Sequence, residues 1–500
     1  MRTHGLLVYN APAKLTRKPG NGERTMSLPN VVFILADDMG YGDVGCFGAE
    51  KIPTPHMDRL AREGVRFTDC HAASAVCTPS RYAVVTGRYC WRSHLKKGVL
   101  GGFGAPLIER DRLTAASLLK RHGYATAVVG KWHLGFNWAR KNGGGMVEDF
   151  GAPAWSVDGF DIDYTRPLES GPTTLGFDYY FGISGSLDMP PYCFIENDRT
   201  VGVPDREKDI YYNQQRKGLM TEGWRDDEVD TTFARKAVEF IERQSGNDAP
   251  FFLYLCTSAP HRPCDIRPDF VTGKSQAGDR GDMVVLFDWV VGEVVNALDR
   301  TGASANTLVI VTSDNGAEGT CANGETYGHK ANGNWRGQKA DIWDGGHREP
   351  FIARWPGRIA PGGQCDAPVC LADFLATCAD IVGDVLPENA AEDSFSFLPM
   401  LEGRTPEPAP RDHIIHHSGD GMFAVRKNGW KLIRGLGSGG FTEPKWLDPG
   451  PDDPPGQLYN LVTDPGETQN RWCDEPGVVQ ELLACLDEAI AAGRTRPPAQ

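Results

Sequence analysis

Two apolar runs in this chain end in oxygen donors. Asn30-Val31-Val32-Phe33-Ile34-Leu35-Ala36 runs into Asp37-Asp38, and Thr307-Leu308-Val309-Ile310-Val311-Thr312-Ser313 runs into Asp314-Asn315-Gly316. Continuous apolar runs of this kind read as buried strands. In open α/β sheets ligands gather beyond the C-terminal ends of strands, and adjacent carboxylates repel each other unless a cation or proton intervenes. Three carboxylates and an amide oxygen are hard donors, suited to Ca2+ first and Mg2+ second, and poorly to zinc, which takes nitrogen and sulfur. Each motif also has a plainer use, as a solvated Asp-Asp turn or as the tight turn that Asp-Asn-Gly often makes.

Other segments supply cations and proton carriers. Gly123-Tyr124-Ala125-Thr126-Ala127-Val128-Val129-Gly130-Lys131-Trp132-His133 reads as a strand ending in a basic pair, and in extended backbone Lys131 and His133 point to the same side. Converging on an anion, they would neutralise it and exchange protons. Taken singly, the lysine is more often a solvated charge and the histidine a hydrogen-bonded loop residue. His261 follows the apolar strand Pro250-Phe251-Phe252-Leu253-Tyr254-Leu255 and is flanked by Pro260 and Pro263. Cys77 opens the polar, cationic turn Cys77-Thr78-Pro79-Ser80-Arg81, which continues through Val84-Val85 into Thr86-Gly87 as a helix reaching its end. Most cysteines are small buried hydrophobes, but few keep this company.

The segment from Ala75 to Gly87 resembles the first signature of the type I, formylglycine-dependent sulfatases of the alkaline-phosphatase-like superfamily, and 123–133 matches the second position by position. Asn334-Trp335-Arg336-Gly337-Gln338-Lys339, with Asp344-Gly345-Gly346 behind it, resembles that family's Arg-Gly-Gly-Lys-Gly segment and aligns Lys339 with its sulfate-binding lysine. Gln338 and Ala340 stand where glycines are usual, which leaves the loop course less fixed than the lysine. The resemblance runs from Pro29 into the C-terminal region.

It implies a set of roles. Cys77 is oxidised to formylglycine by a formylglycine-generating or anaerobic maturation enzyme, and the hydrated aldehyde supplies a hydroxyl nucleophile. Asp37, Asp38, Asp314, Asn315 and residue 77 hold one divalent cation, and Arg81 holds the hydrate. Lys131, Lys339 and His261 neutralise the sulfate, and His133 is the base for the step that frees it. His261 or Lys339 protonates the leaving oxygen, a choice the sequence leaves open. Arg336, His329 and His347 receive no role. The activity implied is a sulfuric ester hydrolase acting on a sulfated carbohydrate, otherwise on aryl sulfates. The alternatives are a phosphate or phosphonate monoester hydrolase of the same superfamily, or a non-catalytic binder of sulfated glycans if Cys77 stays a thiol.

To position these residues, strands must alternate with helices. Helical patterns at 58–64, 112–122, 230–244 and 279–301 interleave with the apolar runs, which gives an α/β class with a large, mostly parallel or mixed sheet sandwiched by helices. Residues 27–401 read as the catalytic domain and the Pro-rich 402–411 as a linker. Residues 412–500 carry short extended runs at 412–417, 422–434 and 457–461 and a helix over 478–492, which resembles the family's smaller α+β C-terminal domain with its short antiparallel sheet. His413, His416 and His417 suggest a metal cluster, but alternation on a half-buried strand accounts for them. Residues 143–172 read as an irregular insertion near the site mouth, and the aromatics of 155–192 as sugar-stacking rings or ordinary packing.

Composition sets the limits. Five hundred residues allow about two domains. A net charge of −14 argues against a nucleic-acid or anionic-membrane binder and makes the cationic site a local inversion. No stretch approaches the roughly 20 apolar residues of a membrane span, and Leu6-Leu7-Val8-Tyr9 is too short for a signal peptide core. Residues 1–26 read as a disordered extension. Thirteen cysteines, none spaced as Cys-x-x-Cys, suit a reducing, cytoplasmic compartment.

Overall fold

The apolar runs do become the centre of a large sheet. In the computed structural model, which describes residues 27–498 apart from 144, 146–157, 211–214, 322 and 405, seven principal strands are β1 (Asn30–Ala36), β2 (Val65–His71), β3 (Ala125–Lys131), β4 (Tyr179–Ile183), β5 (Phe251–Cys256), β6 (Thr307–Ser313) and β7 (Arg348–Arg354). They run in the order β2-β7-β6-β1-β5-β3-β4 within an 11-stranded sheet whose edges are extended by short segments. From β6 to β4 every pairing is parallel, and β7 is antiparallel to both β6 and β2. The expectations for residues 1–26 and for Trp155 lie outside the described residues.

Because β1 is buried along nearly its whole length, its side chains feed two cores. Val31, Phe33 and Leu35 face one side and Val32, Ile34 and Ala36 the other. The first core packs α2 (Cys77–Thr86), α3 (Ala115–Arg121) and α6 (Phe374–Val382); the second packs α1 (Pro55–Glu63), α4 (Val229–Ser245) and α5 (Gly278–Thr301). Each large aliphatic or aromatic side chain so buried contributes about 1.5–3 kcal/mol. The parallel strands therefore deliver the C-terminal ends of β1, β3, β5 and β6 to one edge. Gly130 in β3 has φ +109°, and a Cβ there would lie 1.8 Å from the Cys256 carbonyl oxygen. Only glycine permits that approach of β3 to β5.

The second, four-stranded antiparallel sheet consists of β8 (His413–His417), β9 (Phe423–Lys427), β10 (Trp430–Ile433) and β11 (Gln457–Asn460), backed by α7 (Pro476–Ala492). It is bonded to the large sheet's loops, with the Ala75 amide donating to the His417 carbonyl at 3.0 Å and the Gly419 amide to the Ala340 carbonyl at 2.8 Å. β8 is not half-buried. Ile414 to His417 are all buried, because the strand is sandwiched between this sheet and the Cys77 segment. The structure thus corrects the alternation expected for its histidines. His416 joins His71 and His347, whose ring nitrogens lie within 4.8 Å of one another. The His347 and His416 rings stack 3.8 Å apart at 11°, so their in-plane lone pairs run side by side and do not converge on one ion. Lys431 sits 3.1 Å from His347 Nε2 and adds positive charge. The trio is a packed, desolvated hydrogen-bonding unit.

Candidate functional site

Asp37 and Asp38 leave the end of β1, and Asp314 and Asn315 leave the end of the neighbouring β6, so the register of one parallel pair brings four oxygen-bearing side chains together. Asp38 has φ +67°, a left-handed conformation that turns its side chain back toward β6. Its amide donates to Asp314 Oδ1 at 3.2 Å, and Asn315 Nδ2 donates to Asp38 Oδ1 at 2.7 Å. Asn315 Oδ1 is buried with no hydrogen-bond partner, an amide oxygen left for something the chain does not supply.

Three cations face these carboxylates. Lys131, the last residue of β3, places Nζ 2.6 Å from Asp37 Oδ2. Lys339 Nζ is 2.6 Å from Asp38 Oδ2, and Arg81 in the second turn of α2 clamps Asp314 Oδ2 through Nε at 2.8 Å and Nη2 at 2.7 Å. Burial is the largest single influence and pushes the Asp37 and Asp38 carboxyls up, but the surrounding cations together, led by Lys131 at Asp37 and by Lys339 at Asp38 with His261 next at each, hold both below the usual carboxylate range. Asp314 ends differently: burial dominates, Arg81 only partly offsets it, and its carboxyl rises to about 7.

Cys77 is the first residue of α2, whose end is capped by Gly87 at φ +64°. An anion placed at this helix N-terminus gains from the macrodipole. The Cys77 thiol lies 3.5 Å from Asp37 Oδ1, and burial pushes its pKa far above the ordinary thiol value despite Lys131 and Lys339. As encoded, it is a poor thiolate nucleophile.

His133 and His261 complete the set. His133 does not extend β3: it sits at φ +56°, so it reaches the site through a turn and not by strand alternation with Lys131, which corrects the expected geometry. Its Nε2 donates to the Leu100 carbonyl at 2.7 Å, leaving Nδ1 as a bare, buried lone pair without a partner. His261 Nδ1 donates to the Arg262 carbonyl at 2.7 Å, which leaves Nε2, 3.7 Å from Asp38 Oδ2, as the atom free to carry a proton. Burial lowers both imidazole pKa values, Lys131 deepening the first shift and Lys339 the second. Cys77, His133, His261 and Lys339 line one cavity of about 390 Å3, a volume in the range of small-molecule sites.

The family model described as Sulfatase matches residues 29–384. This chain belongs to the sulfatase family. It is a sulfuric ester hydrolase with an alkaline-phosphatase-like fold. It is 35% identical to an N-acetylgalactosamine-6-O-sulfatase of Bacteroides thetaiotaomicron, over 93% of this chain and 94% of the relative. A steryl-sulfatase of Rattus norvegicus is 33% identical over 82% of this chain and 75% of its own. Among solved structures, a Bacteroides thetaiotaomicron protein from work on the metabolism of multiple glycosaminoglycans superimposes with a TM-score of 0.79 at 32% identity, covering 92% of this chain and 99% of the other.

In this sulfatase the two departures at the Lys339 loop have physical answers. Ala340 adopts φ +74°, the glycine-like conformation, and its amide donates to the Ala75 carbonyl at 2.7 Å. Gln338 accepts from the Gly319 amide at 3.2 Å and donates to Thr442 at 3.1 Å, side-chain bonds a glycine lacks. Arg336 stacks on Trp343 and bonds the Glu467 carbonyl, while His329 bonds Asp43. Sequence reasoning missed Asp230, which accepts from the Ser258 amide and hydroxyl at 2.8 and 2.7 Å and so fixes the turn before His261. It also missed Phe441, on a distant loop, as part of the cavity lining. Of the aromatics in 155–192, Tyr164, Phe177, Tyr180, Phe181 and Tyr192 are buried packing residues; the polar Ser186 and Asp188 line the cavity instead.

Proposed function

We propose that this sulfatase hydrolyses sulfate esters of a carbohydrate, with residue 77 as formylglycine and one divalent cation, Ca2+ before Mg2+, at Asp37, Asp38, Asp314, Asn315 and residue 77. One observation carries the reading. Cys77, at a helix N-terminus among Lys131, Lys339 and Arg81, is held as a protonated thiol, so the site is built for an anion but lacks a nucleophile until residue 77 is modified. The orphaned Asn315 amide oxygen beside three carboxylates fits an oxygen-seeking cation. When bound, that cation supplies charge to polarise a sulfate oxygen, and the aldehyde hydrate supplies the attacking hydroxyl.

The chain's own residues do the rest. Lys339 and His261 line the cavity and meet the sulfate oxygens, and Lys131, paired to Asp37 until the cation arrives, is the third group to neutralise them. Arg81, wholly buried, spans Asp314 and the Lys131 carbonyl, so besides any contact with residue 77 it fixes the ends of β6 and β3 relative to α2. His133 Nδ1 takes a proton during sulfate release, since Nε2 is committed to Leu100. His261 Nε2 protonates the departing oxygen, because a bound sulfate raises its proton affinity and Nδ1 is fixed on a carbonyl. The carbohydrate substrate class draws support from the N-acetylgalactosamine-6-O-sulfatase relative.

The test is turnover of matched sulfate and phosphate monoesters of one sugar by protein carrying the aldehyde. Sulfate hydrolysis should exceed phosphate hydrolysis by at least a hundredfold. Faster phosphate or phosphonate hydrolysis would replace this reading, and tight binding with no hydrolysis of either would make the protein a glycan binder.

A further inference from the structure

The cavity above Cys77 is walled in part by the small domain. Between the antiparallel bridge of Leu436 with Leu447, a loop carries Phe441 to the cavity. The loop is latched to the Lys339 segment. The Phe441 and Thr442 amides donate to Asp341 Oδ1 at 2.8 and 3.0 Å, and a Cβ on Gly440 would lie 2.3 Å from the Ala340 carbonyl. Asp341 itself is fully buried. A firmly mounted loop therefore presents a phenylalanine that is 46% exposed. An apolar ring kept half in water forgoes the stabilisation of burial until something covers it.

A polar part of the same lining makes a complementary demand. Asp188 is buried, its Oδ2 takes Arg216 Nη1 at 3.0 Å, and its Oδ1 has no hydrogen-bond partner. Ser186 Oγ, also buried, is likewise without one. A buried acceptor left unpaired is destabilising, and a ligand that brings a donor removes that cost. A pyranose offers both things at once: a face of C–H groups for the ring and hydroxyl donors for the carboxylate. A sterol or a plain alkyl chain would cover Phe441 and leave Asp188 Oδ1 unpaired, which a site of this kind penalises.

We propose that Phe441 and Asp188, with Ser186 beside it, form the specificity site for the sugar ring bearing the sulfate ester, the ring stacking on Phe441 and its hydroxyls donating to Asp188. This rests on the sulfatase reading above. The test is kcat/KM for N-acetylgalactosamine 6-sulfate and for hexyl sulfate with aldehyde-bearing wild type, Phe441→Ala, Phe441→Trp and Asp188→Asn. The sugar-to-alkyl ratio should fall at least tenfold in Phe441→Ala and Asp188→Asn and recover in Phe441→Trp. Equal losses on both esters, or a wild type that prefers hexyl sulfate, would overturn the assignment. Turnover of neither ester by the wild type would instead bring down the sulfatase reading beneath it. The Phe441 variants, on an exposed ring, keep the test decisive if Asp188→Asn fails to fold.

Discussion

Lys339 Nζ lies 2.6 Å from Asp38 Oδ2, so a lysine 301 residues along the chain is ion-paired to a carboxylate of the candidate cation site. The same holds for Lys131 and Asp37. Three carboxylates facing Arg81, Lys131 and Lys339 leave the site near neutrality, and an arriving cation competes with both lysines for the same oxygens. A sulfate then gives the released ammonium groups a new partner.

That competition predicts an asymmetric mutant. Lys339→Met should bind Ca2+ at least tenfold more tightly, the equivalent of about 1.4 kcal/mol, since Asp38 no longer has a resident cation. Its turnover should nonetheless fall by roughly 10²–10³, as a sulfate-facing charge is gone. Calorimetric titration with Ca2+ alongside kinetics checks both halves; unchanged affinity would show that Lys339 leaves Asp38 at no cost.

Asp314→Ala should abolish turnover, but it should also unsettle the fold. Asp314 is the main partner of Arg81, which is 0% exposed, and breaking a buried pair on one side costs about 3–5 kcal/mol. Asp314→Asn keeps an acceptor and should lose activity with a smaller drop in melting temperature. Equal melting temperatures for the two variants would count against the clamp.

Glu349 predicts a pH dependence of stability. Both its carboxylate oxygens are buried without partners, and burial, with Asp314 and Asp38 adding repulsion, pushes its pKa well above the ordinary value of 4.5. A raised folded-state pKa means that folding binds a proton. The contribution is therefore fully present below about pH 4.5 and is lost as pH rises toward the folded value, by up to about 1.4 kcal/mol per pH unit. Glu349→Gln should raise the melting temperature at pH 8 more than at pH 5. A uniform shift across that window would mean the carboxyl is already ionised or solvated.

The parts of this site that were legible in the sequence are those encoded by local apolar runs. β1 and β6 match the runs Asn30–Ala36 and Thr307–Ser313 residue for residue, because a fully buried parallel strand needs an unbroken apolar string and ends where the polar ligands begin. Helix ends shifted by a few residues, as between the expected 112–122 and the observed Ala115–Arg121, where Thr114 caps the helix. What stayed hidden depends on assembly. His133 turns at a positive φ that no alternation rule anticipates, β8 is buried on both faces only because the Cys77 segment lies over it, and Phe441 reaches the cavity only through a latch on Asp341.

His133 should separate the two halves of the reaction. With Nε2 fixed on Leu100 and Nδ1 bare, it takes a proton only when sulfate leaves. His133→Ala should lower steady-state turnover by roughly 10²–10⁴ while still releasing one equivalent of alcohol per enzyme in a burst. Rapid mixing with a chromogenic sulfate ester reads the burst directly. Loss of the burst along with turnover would assign His133 to the first half.

The state of residue 77 decides whether any of this runs. Burial holds the Cys77 thiol protonated, and its neighbours Lys131 and Lys339 are spent on Asp37 and Asp38, so the encoded side chain lacks the negative charge that makes a thiol a nucleophile. Protein made alongside a formylglycine-generating or anaerobic maturation enzyme should carry an aldehyde at 77 that reacts with hydrazide probes, and should be active. Protein made without one should retain a thiol, visible by peptide mass, and be nearly inert. Cys77→Ala should also be inert yet still bind inorganic sulfate, because the α2 N-terminus, Lys339 and His261 do not depend on the side chain at 77. Full hydrolysis of a sulfate ester by the thiol form or by Cys77→Ala would end the case for a modified nucleophile and send the search to another group in the cavity.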